Sequence, residues 1–261
     1  MKTTETLVAE VKSNVARVTI TRATVHNAFN ETLIAELGQV LRDLSTEKDL
    51  RALVLTGEGK SFCAGADLNW MRKQKDATYE ENVADAMELW RLLEALYRFP
   101  RPTIARVNGA AIGGGAGLVA ACDIAIASEL AVFSLSEVKL GLVPACISPF
   151  VLRKIGEGAC RELFLTGERF FAKKALALGL VRELVPHDEL DIAVEKKIEF
   201  LRTSGPVAVA ACKDLLLKVP RLPLSEAGPL TADIIARLRV GEEGQEGMAA
   251  FLERRKPSWA E

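Results

Sequence analysis

Histidine is scarce in this chain: among 261 residues there are only two, His26 and His187. Two histidines leave little room for a histidine-rich metal site or for a serine–histidine–aspartate triad. The sequence also contains no G-x-S-x-G motif, which would place a nucleophilic serine on a strand-to-helix turn. These absences argue against a zinc enzyme and against a serine hydrolase.

Cysteine is present, but without the spacing of metal or redox motifs. The five cysteines are odd in number and form no C-x-x-C pair. They are Cys63, Cys122, Cys146, Cys160 and Cys212. Scattered thiols of this kind are typical of reduced, buried side chains in the cytoplasm. The first residues lack the apolar segment of a secretory signal, so we expect a cytoplasmic protein.

Excess charge and long apolar runs are absent too. Lys and Arg number 34 against 35 Asp and Glu, so the formal net charge is −1. No global field attracts nucleic acid, and we expect no nucleic-acid partner. The longest uncharged run, residues 107–122, is too short and too rich in glycine to span a bilayer. We therefore expect no membrane partner either.

Glycine, by contrast, is concentrated in residues 108–118, where five of eleven positions are Gly. An apolar segment at 103–107 predicts a strand before it, and residues 118–122 predict the body of a helix after it. N–H groups at a helix start have no intrahelical partner and carry the positive end of the dipole. The stretch is therefore a candidate anion or oxyanion site. The alternative is that the glycines only allow close helix packing.

Apolar segments that read as strands alternate with amphipathic helical segments, which predicts an α/β protein. The helices predominate after residue 157. We expect a core domain over residues 1–200 and a helical C-terminal part over 201–261. The polar stretch 69–81 predicts a mobile segment, followed by an amphipathic helix.

Two loops and one carboxylate carry the candidate chemistry. Backbone N–H groups of Ala64 and Gly114, each in a small-residue loop after a strand, could converge as an oxyanion hole. Glu137 lies among apolar residues, where partial burial would raise its pKa and suit it to proton transfer. The alternative for Glu137 is a solvated turn carboxylate paired with Lys139.

Several motifs together resemble the enoyl-CoA hydratase/isomerase (crotonase) superfamily over essentially the whole chain. They are Asn27-Ala28-Phe29-Asn30, residues 62–68, 108–117, Asp123, 133–144, 166–169, 178–181 and 246–256. The resemblance implies a spiral of ββα turns followed by a helical C-terminal part that trimerises. It predicts a homotrimer or a dimer of trimers.

The resemblance also implies roles for residues. The N–H groups of Ala64 and Gly114 would hold the oxygen of a thioester. Ala64, Gly65, Ala66, Asp67 and Leu68 would lie along coenzyme A, which is part of a small-molecule acyl-CoA substrate. No metal or redox cofactor is implied.

Hydratases of this family usually carry two glutamates, and the chain departs from that pattern. Between them, the two glutamates hold the water that attacks Cβ and deliver the proton to Cα. Glu137 matches the second in chain order, whereas Gly117 stands at the position of the first. Three explanations remain open: Glu137 performs both roles, another group assists, or the reaction is not hydration.

A narrower resemblance, carried by 27–30, 64–71, 117–118 and 135–150, is to bacterial methylglutaconyl-CoA hydratases of leucine catabolism. A sister group acts on isohexenylglutaconyl-CoA in terpenoid breakdown. Both substrates carry a distal carboxylate, for which Arg72, Lys73 and Lys139 are candidates by charge.

Other functions remain open at this point. Residues 115–120 fit G-x-G-x-x-A after a strand, with Glu137 about 20 residues on, as in a dinucleotide-binding module. A non-catalytic CoA-binding protein, an enoyl isomerase, a decarboxylase and a thioester hydrolase are the remaining alternatives.

Overall fold

The computed structural model describes residues 1–260, which fall into two compact units. The first comprises Met1–Phe99 and Thr103–Val194, and the second comprises Pro100–Pro102 and the chain from Glu195 onward. The units therefore divide after residue 194, whereas the sequence places the boundary after residue 200.

The first unit contains two sheets. The larger has the order β1-β2-β3-β4-β6-β8-β11, parallel from β3 to β11 and antiparallel among β1, β2 and β3. Its strands are β1 (Lys2–Thr3), β2 (Leu7–Lys12), β3 (Val15–Ile20), β4 (Ala52–Gly57), β6 (Thr103–Val107), β8 (Ile124–Ser128) and β11 (Glu183–Val185). The smaller has the order β10-β9-β7-β5. Its strands are β5 (Ser61–Cys63), β7 (Ala110–Ile112), β9 (Val132–Ser134) and β10 (Arg169–Phe171).

The helices of the first unit are α1 (Glu31–Ser45), α2 (Leu68–Asp76), α3 (Tyr79–Tyr97), α4 (Gly114–Ala121), α5 (Ser148–Thr166) and α6 (Ala172–Leu178). Helix α7 (Leu190–Arg202) contains the division between the units. The second unit contains α8 (Pro206–Lys218), α9 (Leu224–Val240) and α10 (Glu242–Glu253). The predicted α/β class and helical C-terminal part are confirmed. Helix α1 begins as predicted, because the Asn30 side chain accepts a hydrogen bond from the N–H of Leu33.

A strand–strand–helix unit recurs three times: β4-β5-α2, β6-β7-α4 and β8-β9-α5. The first strand of each unit joins the larger sheet and the second joins the smaller sheet. Strands β5, β7 and β9 are mutually parallel. Their carboxyl ends therefore meet at one edge, and the segments that follow them are brought together there.

The stretch 69–81, for which the sequence predicts a mobile segment, forms α2 and the start of α3. Asp67 caps α2 by accepting from the N–H of Asn69, and Thr78 forms a reciprocal capping box with Glu81. The indole N–H of Trp70 donates to Asp85 at 3.1 Å, which ties α2 to α3. The polar composition of residues 69–81 gave no indication of these two helices, whose N-termini are both capped.

One apolar core lies inside the first unit. Its largest fully buried side chains include Phe29, Phe62, Phe99, Phe133 and Phe170. Among the described residues, no helix combines the length and the apolar character that crossing a membrane requires.

Candidate active site

The site lies where the segments after β5, β7 and β9 meet. The N–H of Gly113, just after β7, donates to the carbonyl of Ser134 at the end of β9 (2.8 Å). A Cβ on Gly115 would lie 2.0 Å from the carbonyl oxygen of Cys63 at the end of β5. Only glycine permits this approach of backbone to backbone, so the glycine stretch fixes the distances within the site.

Gly114 is the first residue of α4 and follows Gly113, which has φ +51°. As the first helical residue, Gly114 has an N–H without an intrahelical acceptor, at the positive end of the helix dipole. Gly114 is also partly exposed, whereas Gly115 and the rest of α4 are buried. The structure thus presents the Gly114 N–H as a donor that an anion can reach.

The prediction that the Ala64 N–H is the second oxyanion donor is contradicted by the structure. Its N–H already donates to the carbonyl oxygen of His26 at 3.0 Å. A thioester oxygen could use this N–H only by displacing a backbone hydrogen bond, which leaves the His26 carbonyl unpaired.

Two residues further on, Ala66 has the orientation that Ala64 lacks. It forms a parallel bridge with Phe29, in which the flanking residues make the bonds: Phe29 N–H to Gly65 O (2.7 Å) and Asp67 N–H to Phe29 O (2.8 Å). Ala66's own N–H therefore points away from Phe29. Ala66 is exposed, and within residues 1–260 its N–H donates no hydrogen bond. Ala66 therefore offers the free N–H that Ala64 lacks, whereas the family resemblance places Ala66 only along coenzyme A.

Glu137 begins a short 3-10 turn, Glu137–Leu140. A Cβ on Gly113 would lie 3.1 Å from Oε1 of Glu137, so the carboxyl group lies directly against the Gly113 backbone. Oε2 is buried and has no hydrogen-bond partner within the described part of the chain. Burial raises the pKa of Glu137 above its ordinary value. No ion pair joins Glu137 to Lys139 within residues 1–260, so the solvated-pair alternative is not supported.

Gly117 lies one helical turn beyond Gly113, and its N–H donates to the Gly113 carbonyl at 3.0 Å. A Cβ on Gly117 would lie 2.3 Å from Cγ2 of Ile147 and 3.7 Å from Cδ2 of Leu93. Ile147 is buried. An apolar side chain therefore fills the space that a side chain at position 117 would enter, and Glu137 has no second carboxylate beside it on this face of α4.

The remaining residues of the predicted CoA loop differ in accessibility. Leu68 is 69% exposed, whereas Gly65 is buried with φ +91° and packs against the Ile112 carbonyl. The Asp67 carboxylate is turned inward and pairs with Arg22. Contact of this loop with coenzyme A stays a prediction.

Two cysteines near the site are not suited to nucleophilic catalysis. Burial raises the pKa of the Cys63 thiol to about 12, and burial also raises that of Cys146. Because the thiolate is the nucleophile, neither cysteine is activated at neutral pH.

The dinucleotide-binding alternative is not supported by the placement of its motif. Residues 115–120 lie inside the eight-residue helix α4 and are all buried. Gly117 faces Ile147 rather than open space. A pyrophosphate could not approach these glycines in the way the dinucleotide fold requires.

Two backbone N–H groups without acceptors, near one carboxyl group of raised pKa, form an arrangement suited to acid–base chemistry on a carbonyl compound. Comparison with known proteins agrees with this class of chemistry. A family model described as enoyl-CoA hydratase/isomerase matches residues 10–261. The 2,3-dehydroadipyl-CoA hydratase of Escherichia coli is 32% identical over 255 residues, which cover 97% of this chain and 98% of the relative.

Solved structures are similar over nearly the whole chain. The crystal structure of an enoyl-CoA hydratase from Shewanella pealeana is 46% identical, with a TM-score of 0.94 and coverage of 98% of this chain and 96% of that one. Pseudomonas aeruginosa AtuE is 39% identical, with a TM-score of 0.96 and coverage of 98% and 100%. The chain belongs to the enoyl-CoA hydratase/isomerase family and has its crotonase-type fold, and it is an enzyme of the enoyl-CoA hydratase type. The superfamily predicted from the sequence is confirmed.

Proposed function

We propose that this enzyme catalyses the reversible hydration of a short or branched 2-enoyl-CoA thioester, with 3-methylglutaconyl-CoA as the specific substrate. Coenzyme A is then part of the substrate, and the reaction needs no metal or redox cofactor. The observation that carries the proposal is the buried, unpartnered Oε2 of Glu137, whose carboxyl group lies against Gly113, the residue just before the free N–H of Gly114.

In the hydration direction, ionised Glu137 accepts a proton from water while the water oxygen bonds to Cβ of the substrate. The electrons of the carbon–carbon double bond move towards the thioester, whose oxygen becomes an enolate oxygen. The N–H groups of Ala66 and Gly114 stabilise that charge. Protonated Glu137 then returns the proton to Cα, and the thioester carbonyl re-forms. One carboxyl group thus acts as base and then as acid, which is consistent with the packing of Ile147 against Gly117.

Support for a substrate with a distal carboxylate comes from two sources. The sequence resembles methylglutaconyl-CoA hydratases, and the E. coli relative is named for 2,3-dehydroadipyl-CoA, also a dicarboxylic thioester. Of the candidate cations, Lys73 pairs with Glu31 and Arg72 donates to the side chain of Asn69. Lys139 is exposed and makes no ion pair within residues 1–260. We therefore assign the distal carboxylate to Lys139 or Arg72.

Isohexenylglutaconyl-CoA is the alternative substrate of the same reaction. Double-bond isomerisation of an enoyl-CoA is the second candidate function, favoured by the packing of Ile147 against Gly117. Isomerisation moves one proton between two carbons and needs one carboxyl group and no bound water. A decarboxylase, a thioester hydrolase and a non-catalytic CoA-binding protein have no comparable observation in their favour.

A panel of enoyl-CoA thioesters tests the substrate. Hydration removes the conjugated thioester absorbance, whereas isomerisation away from conjugation removes it without adding water, so product mass separates the two reactions. We expect 3-methylglutaconyl-CoA to react faster than matched thioesters that lack the distal carboxylate. Equal rates across the panel would contradict the methylglutaconyl assignment and leave hydration intact. Loss of the preference in Lys139→Gln or Arg72→Gln would identify the cation.

The role of Glu137 is tested by Glu137→Gln, which we expect to lower kcat by about 10²–10⁴, the usual worth of a positioned acid–base group. Glu129→Gln is the matched control, because Glu129 is exposed at the turn after β8. Near-normal hydration by Glu137→Gln would show that another group transfers the proton.

We also propose a homotrimer or a dimer of trimers. Support comes from apolar side chains that the single chain leaves exposed in α9 and α10: Leu224 (91%), Val240 (78%), Phe251 (83%) and Leu252 (79%). Sedimentation of the purified enzyme tests this, and a monomer at all concentrations would contradict it.

A further inference from the structure

Two loops beside the site are joined along their length. We call residues 22–30 the clamp loop and residues 64–67, which follow β5, the donor loop. Backbone bonds connect them in succession: Ala64 N–H to His26 O (3.0 Å), Phe29 N–H to Gly65 O (2.7 Å) and Asp67 N–H to Phe29 O (2.8 Å). The donor loop carries Ala66, so its position depends on the clamp loop.

Arg22 holds the two loops together from the side. Its guanidinium group donates to Oδ2 of Asp67 at 2.9 Å and to the carbonyl oxygen of Ala28. The side chains of Arg22 and Asp67 are only 16% and 8% exposed. Burial acts to raise the pKa of Asp67, but the Asn69 N–H and the Arg22 guanidinium hold it below its ordinary value. The pair is shielded from water, unlike the exposed ion pairs elsewhere on the surface.

Phe29 extends the clamp loop to both proposed donors. Its backbone forms the bridge that orients Ala66. Its ring lies against Gly114, because a Cβ there would be 3.0 Å from Cε2 of Phe29. One residue of the clamp loop therefore contacts both halves of the oxyanion hole.

We propose that Arg22, acting through Asp67 and Phe29, is a positioning residue that sets the Ala66 N–H relative to the Gly114 N–H. This inference rests on the proposed function, since it assumes a thioester oxygen between those two groups. Misplacement of a reacting group by about 1 Å costs on the order of 10² in rate, so a clamp remote from the substrate can control kcat.

The test compares Arg22→Gln with Arg106→Gln. Arg106 is matched in its own burial, because its side chain is 17% exposed and pairs with Asp191 at 2.7 Å in the same unit, although Asp191 is 68% exposed. We expect Arg22→Gln to lower kcat about 10–100-fold with little change in KM. The effect should be smaller than the loss of about 10²–10³ in kcat that follows complete removal of one oxyanion donor, because the Ala66 N–H is displaced and not removed. Arg106→Gln should leave both constants within about twofold.

A spectroscopic measurement reports the hydrogen bonds directly. Butyryl-CoA labelled with ¹³C at the thioester carbonyl has no double bond and does not react, so its carbonyl stretch can be recorded bound to each variant. Bound to the unmodified enzyme, the stretch should fall below that of free butyryl-CoA. Bound to Arg22→Gln, it should return towards the free value. Asp67→Asn should behave in the same way, and the double variant should be no worse than either single variant.

The outcomes separate the two proposals. An unshifted carbonyl in the unmodified enzyme would overturn the oxyanion hole, and with it the proposed function. A normal shift in both the unmodified enzyme and Arg22→Gln, with normal kcat, would overturn the clamp alone. If Arg22→Gln does not fold, Arg22→Lys decides, because a lysine keeps the charge but cannot replace both guanidinium contacts. Its kcat and carbonyl stretch should then be intermediate, and unmodified values would contradict the proposal.

Discussion

Ile147 occupies the space that a side chain on Gly117 would need: its Cγ2 lies 2.3 Å from the position of a Cβ there, and its Cβ lies 2.9 Å away. Real Cβ atoms do not approach other carbon atoms so closely, so the isoleucine at 147 requires a glycine at 117. Gly113, at the start of α4, lies against Glu137, and Gly117, one turn later, lies against Ile147. Ile147 therefore fills the space beside position 117, so the lack of a glutamate there leaves no empty space.

Gly117→Ala should destabilise the protein by up to about 2 kcal/mol, because overpacking costs about 1–3 kcal/mol and helix propensity returns only roughly 1 kcal/mol. Denaturant unfolding measures this. Gly158→Ala in α5 is the control, since a Cβ there has no neighbour within 4 Å; it should be neutral or stabilising. In an Ile147→Ala background, Gly117→Ala should become less harmful by about 0.5–3 kcal/mol. Additive free energies would show that the two positions are independent.

Replacing single backbone amides by esters distinguishes Ala66 from Ala64. Incorporating lactic acid at position 66 removes that N–H and keeps the methyl group. We expect kcat to fall by about 10²–10³, the cost of one oxyanion donor, with little change in stability. The same change at position 64 removes the bond to the His26 carbonyl and should lower stability instead. A larger kcat loss at 64 than at 66 would restore the assignment made from the sequence.

Glu137→Gln should also stabilise the fold at neutral pH. The folded state raises the pKa of Glu137, so it binds that proton more tightly than the unfolded chain, where the pKa is about 4.3. The free energy of unfolding therefore decreases as the pH rises from the unfolded-state pKa through the folded-state pKa. Above the folded-state pKa the decrease is complete. We expect Glu137→Gln to be more stable than the unmodified enzyme at pH 8, because the neutral amide carries no charge that burial disfavours. This gain in stability should vanish in acid, where Glu137 is protonated in both states. Urea unfolding at several pH values measures it, and a difference between the two proteins that does not change with pH would contradict the prediction.

Much of the molecule could be predicted from the sequence. Apolar periodicity indicated the α/β class, the Asn30 cap and the strand at 103–107, since these depend on neighbouring residues. The motifs predicted the family, and the position of Gly114 at a helix start followed from the local order of strand, glycines and helix. Glu137 could be singled out because apolar neighbours surround it in the chain.

Three features depended on contacts between segments distant in sequence. Whether Ala64 or Ala66 donates is decided by the pairing of residues 64–67 with residues 26–29, because that pairing occupies one N–H and turns the other outward. The role of Asp67 is decided by Arg22, 45 residues away. Gly117 is explained by Ile147, which reaches α4 from the start of α5. The sequence by itself determined the class of chemistry, because that depends on which groups are present. Only the tertiary structure decided which groups are free to act, because hydrogen bonding and packing between distant segments satisfy some groups and leave others available.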